Sequence, residues 1–359
     1  MLKVGIVGCG KIAEGHIGEI QKLDCARVTA MCDLEPIMAR QLALRYCVPR
    51  WHGDFDRMLS AEQFDVIHIT TPPQSHLALA RKAAMAGCHV YLEKPLAMNA
   101  EDGRRLIECV QQAGRKMTIN YWNNFETPSL ALQELVARGE LGDAVHVESY
   151  YGYDLGDAFG QALLSDTRHW IHQLPGKLLQ NVIDHAINKI TPFIPDEAPE
   201  IIARAYRRGE QADHEVKSEI LDELRVMILG ARASAYVTFC SHARPVSHFL
   251  RVYGTRNTAH VDYRLRTMSV EMEQTMPTAL GRLLPPFQSS WQSARQATRN
   301  ALEFAGSRFH YFAGMNRLLS QFYRSIQDDT PVPIPYEEIL RVSRIMDRIL
   351  AHIRPEVLV

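Results

Sequence analysis

The residues best suited to chemistry begin with Gly8-Cys9-Gly10-Lys11-Ile12-Ala13, a G-x-G-x-x-A pattern directly after an apolar run over 3–7. Gly8 lets a strand turn sharply into a helix. Gly10 has no Cβ, so main chain can approach a pyrophosphate, and Ala13 is small enough for close helix–strand packing. The first helical residues, Lys11 and Ile12, place free N–H groups and a positive dipole end at the phosphates. Asp33 ends the second apolar run about 20 residues on, the distance at which a carboxylate meets a ribose. Its other reading is a helix N-cap before Pro36. As a ribose acceptor its charge opposes a 2′-phosphate, and no Arg occupies 34–36, so the pattern selects NAD over NADP.

Further groups follow later strands. Thr70-Thr71-Pro72-Pro73-Gln74-Ser75-His76 follows an apolar run over 64–70, and Glu93-Lys94-Pro95 follows one over 89–92. Both lie where an open α/β sheet collects ligands, at strand carboxyl ends. A strand end before Lys94 and a proline after it argue against an ordinary solvated surface lysine. Asn181 and His185 stand at i,i+4, the spacing of one helix face.

Elements must hold these residues in place. Residues 3–7, 28–32, 64–70, 89–92 and 116–121 read as strands, with a short one at Trp51-His52. Helices are expected over 11–22, 36–46, 75–86 and 100–113. Strands alternating with helices of this length predict a parallel sheet covered on both faces. Beyond 122 the pattern changes to strands over 145–151, 201–207, 224–229, 233–239, 249–253, 258–263 and 267–272. Several alternate polar and apolar residues, predicting a largely antiparallel sheet. The chain therefore reads as α/β plus α+β, with domains over 1–121 and 122–359.

With the glycine loop, the T-T-P-P and E-K-P segments closely resemble the glucose–fructose oxidoreductase / inositol dehydrogenase / MocA family across essentially the whole chain, most closely its sugar-nucleotide and polysaccharide-biosynthesis members. Gly139-Glu140-Leu141-Gly142 resembles that family's turn into its second domain. The resemblance implies an N-terminal Rossmann domain and a C-terminal α+β domain whose open sheet often forms an oligomer interface. It implies that Lys94 contacts the substrate hydroxyl and the nicotinamide ribose, that Glu93 and Pro95 hold it, and that Thr71, Pro72 and His76 line the nicotinamide side. A lysine near the positive nicotinamide sheds its proton more readily, which suits acid–base work.

The family's G-G-x-x-x-D-x-x-x-H motif matches residues 176–185, with Lys177 for the second glycine and Asn181 for the aspartate. Asn181 orients a hydroxyl but is no base, so the proton falls to His185 and Lys94. An alternative register aligns Asp184 with the aspartate and puts Asn188 at the histidine. His185 also has a plain structural reading, bonded to backbone. His169 and Trp170 are candidate substrate contacts, and the His169/His172 pair implies no metal in a family that needs none. Asn120, Tyr121, Trp122, Asn123 and Asn124 replace a stretch that often contains Arg, so the reacting end is amide-rich and suits a neutral ring. Phosphate would sit apart, near Lys177, Arg168 or an inserted arm over 281–308. The arm reads as an oligomer-packing element, a lid or a basic amphipathic surface.

The implied function is NAD-dependent oxidation or reduction at a secondary alcohol of a sugar, cyclitol or sugar nucleotide. An NAD-retaining glycosidase and a dinucleotide-sensing regulator are the alternatives. Lys+Arg 40 against Asp+Glu 41 disfavours a nucleic-acid binder. No apolar run nears the ~18 residues of a membrane helix. The immediate start of a strand leaves no room for a signal peptide, and the 7 scattered cysteines fit reduced thiols. A cytoplasmic homo-oligomer, dimer or tetramer through the C-terminal sheet, is expected.

Overall fold

The computed structural model describes residues 1–156, 158–208, 220–273 and 278–353. The chain forms two compact units, Met1–Trp122 with Phe312–Ser343 and Asn123–Tyr311 with Arg344–Val359.

The first unit alternates β1 (Leu2–Val7), α1 (Lys11–Ile20), β2 (Ala26–Cys32), α2 (Pro36–Arg45), β3 (Arg50–His52), α3 (Phe55–Ala61), β4 (Val66–Ile69), α4 (His76–Met85), β5 (His89–Leu92), α5 (Ala100–Gln112) and β6 (Met117–Ile119). The strands form one sheet in the order β3-β2-β1-β4-β5-β6, and every pair is parallel. This is the doubly wound arrangement, with its switch point between β1 and β4. All of β4 is buried, as expected of a strand covered on both faces.

The second unit contains α6 (Thr127–Ala137), β7 (Ala144–Gly152), α7 (Ala158–Ser165), α8 (Lys177–Val182), α9 (Asp184–Ile190), β8 (Glu200–Tyr206), β9 (Glu223–Leu229), β10 (Ser234–Cys240), β11 (His248–Gly254), β12 (Asn257–Asp262), β13 (Thr267–Met272) and α10 (Thr278–Ala305). Its seven strands run β13-β12-β11-β7-β10-β9-β8. The β7–β10 pair is parallel and the others are antiparallel. Along β10, Ala235, Val237 and Phe239 are buried while Tyr236 is 49% exposed, the period-two pattern of a sheet with one covered face.

Two expectations need correction. Where the sequence reading kept 122–359 together, compactness groups Phe312–Ser343 with the first unit. The cause is the apolar face of α11 (Ala313–Gln327). Met315, Leu318, Leu319, Phe322 and Tyr323 are fully buried, each stabilising by about 1.5–3 kcal/mol at most. The element before it also fits closely, since a Cβ on Gly15 would lie 2.8 Å from the Phe312 ring. The last helix is α12 (Tyr336–His352).

The inserted arm is a single 28-residue helix running through Pro285 and Pro286. Its inward side chains include a row of three amides. Gln292 accepts from Val270 N–H at 2.8 Å and donates to the Val270 carbonyl at 2.9 Å. Gln296 treats Met268 in the same way, and Asn300 donates to the Leu265 carbonyl at 3.0 Å. Side chains at i and i+4 thus satisfy the outer main chain of edge strand β13, a site otherwise open to unwanted pairing, and the one at i+8 serves the turn before it. The second correction is that Asn181 and His185 do not share one regular helix, because Ile183 separates α8 from α9.

Candidate active site

Strand register in the first unit brings the chemical residues into one row. Val7 pairs with both Cys32 and Ile69, and Ile69 pairs with Leu92. Four strands therefore end level, and Gly8, Asp33, Thr70 and Glu93 leave them side by side. Main-chain bonds continue the row past the strand ends: Gly8 N–H to Cys32 O at 2.8 Å, Thr70 N–H to Val7 O at 2.9 Å, and Glu93 N–H to Ile69 O at 2.9 Å.

The two loop glycines are required for different reasons. Gly8 has φ of +96°, and a Cβ there would come within 2.8 Å of the Thr70–Thr71 main chain. Gly10 is exposed, has ordinary φ, and a Cβ there would meet no protein atom within 4 Å. Nothing in the fold fills that space, which lies at the N-terminus of α1. Open room against free helical N–H groups is what a pyrophosphate needs. Lys11 is exposed and Ile12 half-buried at the same end, while Ala13 is fully buried.

Asp33 is half-buried and doubly held. Its Oδ2 accepts from Cys9 N–H at 2.6 Å and its Oδ1 from Glu35 N–H at 2.9 Å. The residue capping α2 is Glu35, without a side-chain bond, so Asp33 is not the N-cap of that helix. Leu34, Ile37 and Met38 are all exposed beside it, an apolar surface suited to a flat base. These features fit a dinucleotide whose adenosine end lies over β2.

On the opposite side of β1, Thr70 Oγ1 donates to Gly8 O at 2.6 Å, and Thr71 Oγ1 meets Ser75 Oγ at 2.6 Å. Thr71 and Pro72 are half-buried. His76 is fully buried, with Nε2 2.8 Å from Thr71 O and Nδ1 3.1 Å from Leu96 O. Its role is to tie the loop after β4 to the loop after β5. Burial holds its pKa below the usual histidine value, although both carbonyls oppose this.

Lys94 is half-buried and begins a cis peptide to Pro95. Behind it Glu93 is buried. The Glu93 Oε1 faces His16 Nε2 at 2.8 Å and accepts from Asn120 Nδ2 at 2.5 Å, while Oε2 accepts from Lys94 N–H at 3.1 Å. Burial pushes its pKa up, but the His16 bond and the Lys94 and Asn120 contacts outweigh that and leave it below the usual carboxylate value. Asn120 is itself fixed by Tyr91 OH at 2.8 Å. It was expected among cleft-lining amides, and instead positions Glu93 from a buried site. Sequence reading missed His16; an imidazole among the apolar positions of α1 was its only signal.

The second unit arranges its residues around α9. Asn181 and His185 are half-buried, whereas Asp184 and Asn188 are buried. The pair of the first register is thus half-buried and the pair of the alternative register fully enclosed. The ring of His185 stacks on Tyr151, with centroids 5.0 Å apart. Lys189 was missed by the sequence reading. It is buried, donates to the His185 carbonyl, and meets His248 Nε2 at 2.8 Å. Burial brings its ammonium down to about 7 against the pull of Asp184 and Glu126, and burial holds His248 well below its usual value. A lysine placed between the apolar Ile187 and Ile190 was the available signal.

At Lys177 the structure gives meaning to the motif's departure. Its φ is +46°, so a lysine adopts the left-handed conformation that the matching glycine takes without cost. Beside it, a Cβ on Gly176 would lie 2.6 Å from Leu350. His169 and Trp170 are half-buried with ring centroids 5.6 Å apart, and the His169 Nδ1 accepts from Ile171 N–H at 3.4 Å. Asn123 is buried, and its carbonyl accepts from Ser129 Oγ at 2.6 Å. Arg168 is exposed and ion-paired to Asp166 at 3.0 Å.

Comparison with known proteins agrees with this geometry. Residues 2–121 match the Gfo/Idh/MocA oxidoreductase family, NAD-binding Rossmann fold. Over 148 residues the chain is 29% identical to a 1-carboxy-3-chloro-3,4-dihydroxycyclohexa-1,5-diene dehydrogenase of Comamonas testosteroni, covering 41% of this chain and 37% of the relative. Over 291 residues it is 27% identical to an inositol 2-dehydrogenase/D-chiro-inositol 3-dehydrogenase of Shouchella clausii, covering 74% and 82%. The alignments span 37%, 45% and 54% of the lengths of the first three curated relatives. The WlbA dehydrogenase of Bordetella pertussis, solved with NADH and UDP-GlcNAcA, shares the fold with a TM-score of 0.78, at 18% identity over 98% of this chain and 95% of that one.

Proposed function

From the premise that residues 2–121 form an NAD-binding Rossmann domain of the Gfo/Idh/MocA oxidoreductases, we propose that the protein is an NAD-dependent dehydrogenase acting on a secondary alcohol of a sugar, cyclitol or sugar nucleotide. The observation that carries this reading is the level row of strand ends, where the open space at Gly10, the doubly held Asp33 and the Glu93-Lys94 pair stand together. When bound, the nicotinamide supplies the hydride acceptor or donor. Lys94 and His185 hold or move the hydroxyl proton, at Nζ and at a ring nitrogen. Asn181 orients a ring hydroxyl, as an amide that both donates and accepts can do. Asn123, His169 and Trp170 are the further substrate contacts of this reading. A neutral ring at the reacting carbon is favoured over a 2-hydroxy acid, and sugar nucleotides over free sugars.

The test is a thermal-shift and NADH-fluorescence screen with NAD across free sugars, inositols and UDP-, GDP- and dTDP-sugars. Net NADH formation with a nucleotide sugar is expected. A response to small carboxylic acids alone would sink the neutral-ring reading. Substrate hydrolysis without net NADH would instead support the NAD-retaining glycosidase. Full turnover by Lys94→Ala would remove the catalytic assignment.

Two further features belong to this proposal. Tyr236 and Ile202 are about half exposed on the uncovered side of the second sheet, a surface suited to a homo-oligomer. The cysteines among the described residues are free, consistent with a cytoplasmic enzyme.

A further inference from the structure

Behind Glu93 lies a line of buried polar groups that the proposed chemistry does not use. The His16 Nδ1 meets His68 Nδ1 at 2.8 Å, and His68 Nε2 meets Tyr323 OH at 2.8 Å. With the His16–Glu93 contact this makes four groups in series, drawn from α1, β4, α11 and the end of β5. His16, His68 and Tyr323 are fully buried. His68 also stacks on Tyr91, with centroids 4.6 Å apart and planes within 4°.

The direction of the series follows from counting protons. Tyr323 OH has His68 as its hydrogen-bond partner and no other among the described residues. A buried hydroxyl that failed to donate would strand its proton, so Tyr323 donates to His68 Nε2. His68, neutral because burial holds it well below the usual histidine value, then carries its proton on Nδ1. It donates to His16 Nδ1, and His16 in turn donates from Nε2 to Glu93. Every bond points the same way, toward the carboxylate. Asn120 and the Lys94 main chain add two more donors.

Topology locates this anion relative to the cofactor. Asp33 after β2 marks the adenosine end and the β1 turn marks the pyrophosphate, so the other nucleoside lies over the ends of β4 and β5. We propose that Tyr323, His68 and His16 form a one-way hydrogen-bond chain that fixes Glu93 as a buried anion beside the nicotinamide half of the site, so that the protein holds cationic NAD+ more tightly, relative to neutral NADH, than it would without that charge. The three chain members are positioning residues; Glu93 carries the effect. The titratable groups facing Glu93 are His16 from α1, Tyr91 from β5, His76 from α4 and its neighbour Lys94. Lys94 acts with the opposite sign, so removing Glu93 alone isolates the contribution of the anion.

The inference rests on the NAD reading and needs no knowledge of the substrate. The measurement is the ratio of dissociation constants for NAD+ and NADH, by isothermal titration and NADH fluorescence. Glu93→Gln should raise that ratio about tenfold, as expected for unit charges roughly 10 Å apart at an effective dielectric of about 20. His16→Ala should raise it in the same direction, and His16→Gln, which retains an N–H toward Glu93, should restore it. Equal weakening of both cofactor forms in Glu93→Gln would mean a merely structural role and overturn the proposal. Should that variant not fold, 15N shifts of the histidines in the unaltered protein decide: His16 protonated on Nε2 and His68 on Nδ1 support the chain, and the reverse tautomers or a cationic His16 at neutral pH defeat it. Absence of binding of either form to the unaltered protein would instead defeat the NAD reading, and this inference with it.

Discussion

Two single residues make sharp predictions. Asp33 is held by two main-chain N–H groups, so its carboxylate cannot turn away from an added phosphate. Calorimetric titration should show NAD(H) preferred over NADP(H) by about an order of magnitude or more, and Asp33→Ala should narrow the gap by removing a hydroxyl acceptor and a repulsion together. Equal or tighter NADPH binding by the unaltered protein would refute that role. Lys177 is the second case. A lysine at φ +46° bears a cost of about 1 kcal/mol that glycine avoids. Lys177→Gly should therefore raise the urea midpoint by a corresponding amount, unless chain entropy lost on folding cancels the gain, which an unchanged midpoint would reveal.

At the scale of elements, α9 and α10 each do a task that their hydrophobic pattern does not announce. The α9 helix buries Lys189 with a pKa brought down to about 7. Between that value and the unfolded lysine value near 10.4, the unfolded chain binds more protons than the folded one. This group therefore makes stability rise with pH across that window and lowers it below about 7. Chemical denaturation of Lys189→Met at pH 6, 7.5 and 9 should show a flatter profile than the unaltered protein, with the variant's advantage greatest at pH 6. A parallel profile would show that Lys189 keeps its proton through its neighbours. In α10, Gln292 and Gln296 satisfy the outer main chain of β13. Replacing both with Leu should cost about 1–3 kcal/mol for each main-chain group left without a partner and still shielded from water. A denaturant midpoint unchanged by the double substitution would show that water replaces the amides freely.

For the whole molecule, the informative feature is the apolar surface left uncovered. The second sheet shows half-exposed Tyr236 and Ile202 on its outer side, and the outward face of α10 shows Phe287, Trp291 and Leu302, each at least 66% exposed. Apolar surface exposed in this way is unusual for a monomer near zero net charge. Light scattering at micromolar concentration should give a dimer or tetramer. Tyr236→Glu combined with Ile202→Glu should shift it toward monomer, because a desolvated carboxylate opposes association. A monomer in the unaltered protein would defeat this expectation. No described helix is long and apolar enough to cross a membrane.

Much of the first unit was legible in the sequence because its signals are local. The turn at Gly8, the small Ala13, the acid ending β2 and the strand periods each depend on a few neighbouring residues. Three things were decided only by the tertiary structure. Register put Gly8, Asp33, Thr70 and Glu93 in one row, since a parallel sheet sets its levels through pairing between distant segments. Packing returned Phe312–Ser343 to the first unit, because the apolar face of α11 states that it needs a partner without stating which one. Burial turned His16, His68, Asn120, Tyr323 and Lys189 into a polar interior. Their meaning lies in partners as many as 255 positions apart, and no local pattern encodes a hydrogen bond across that distance.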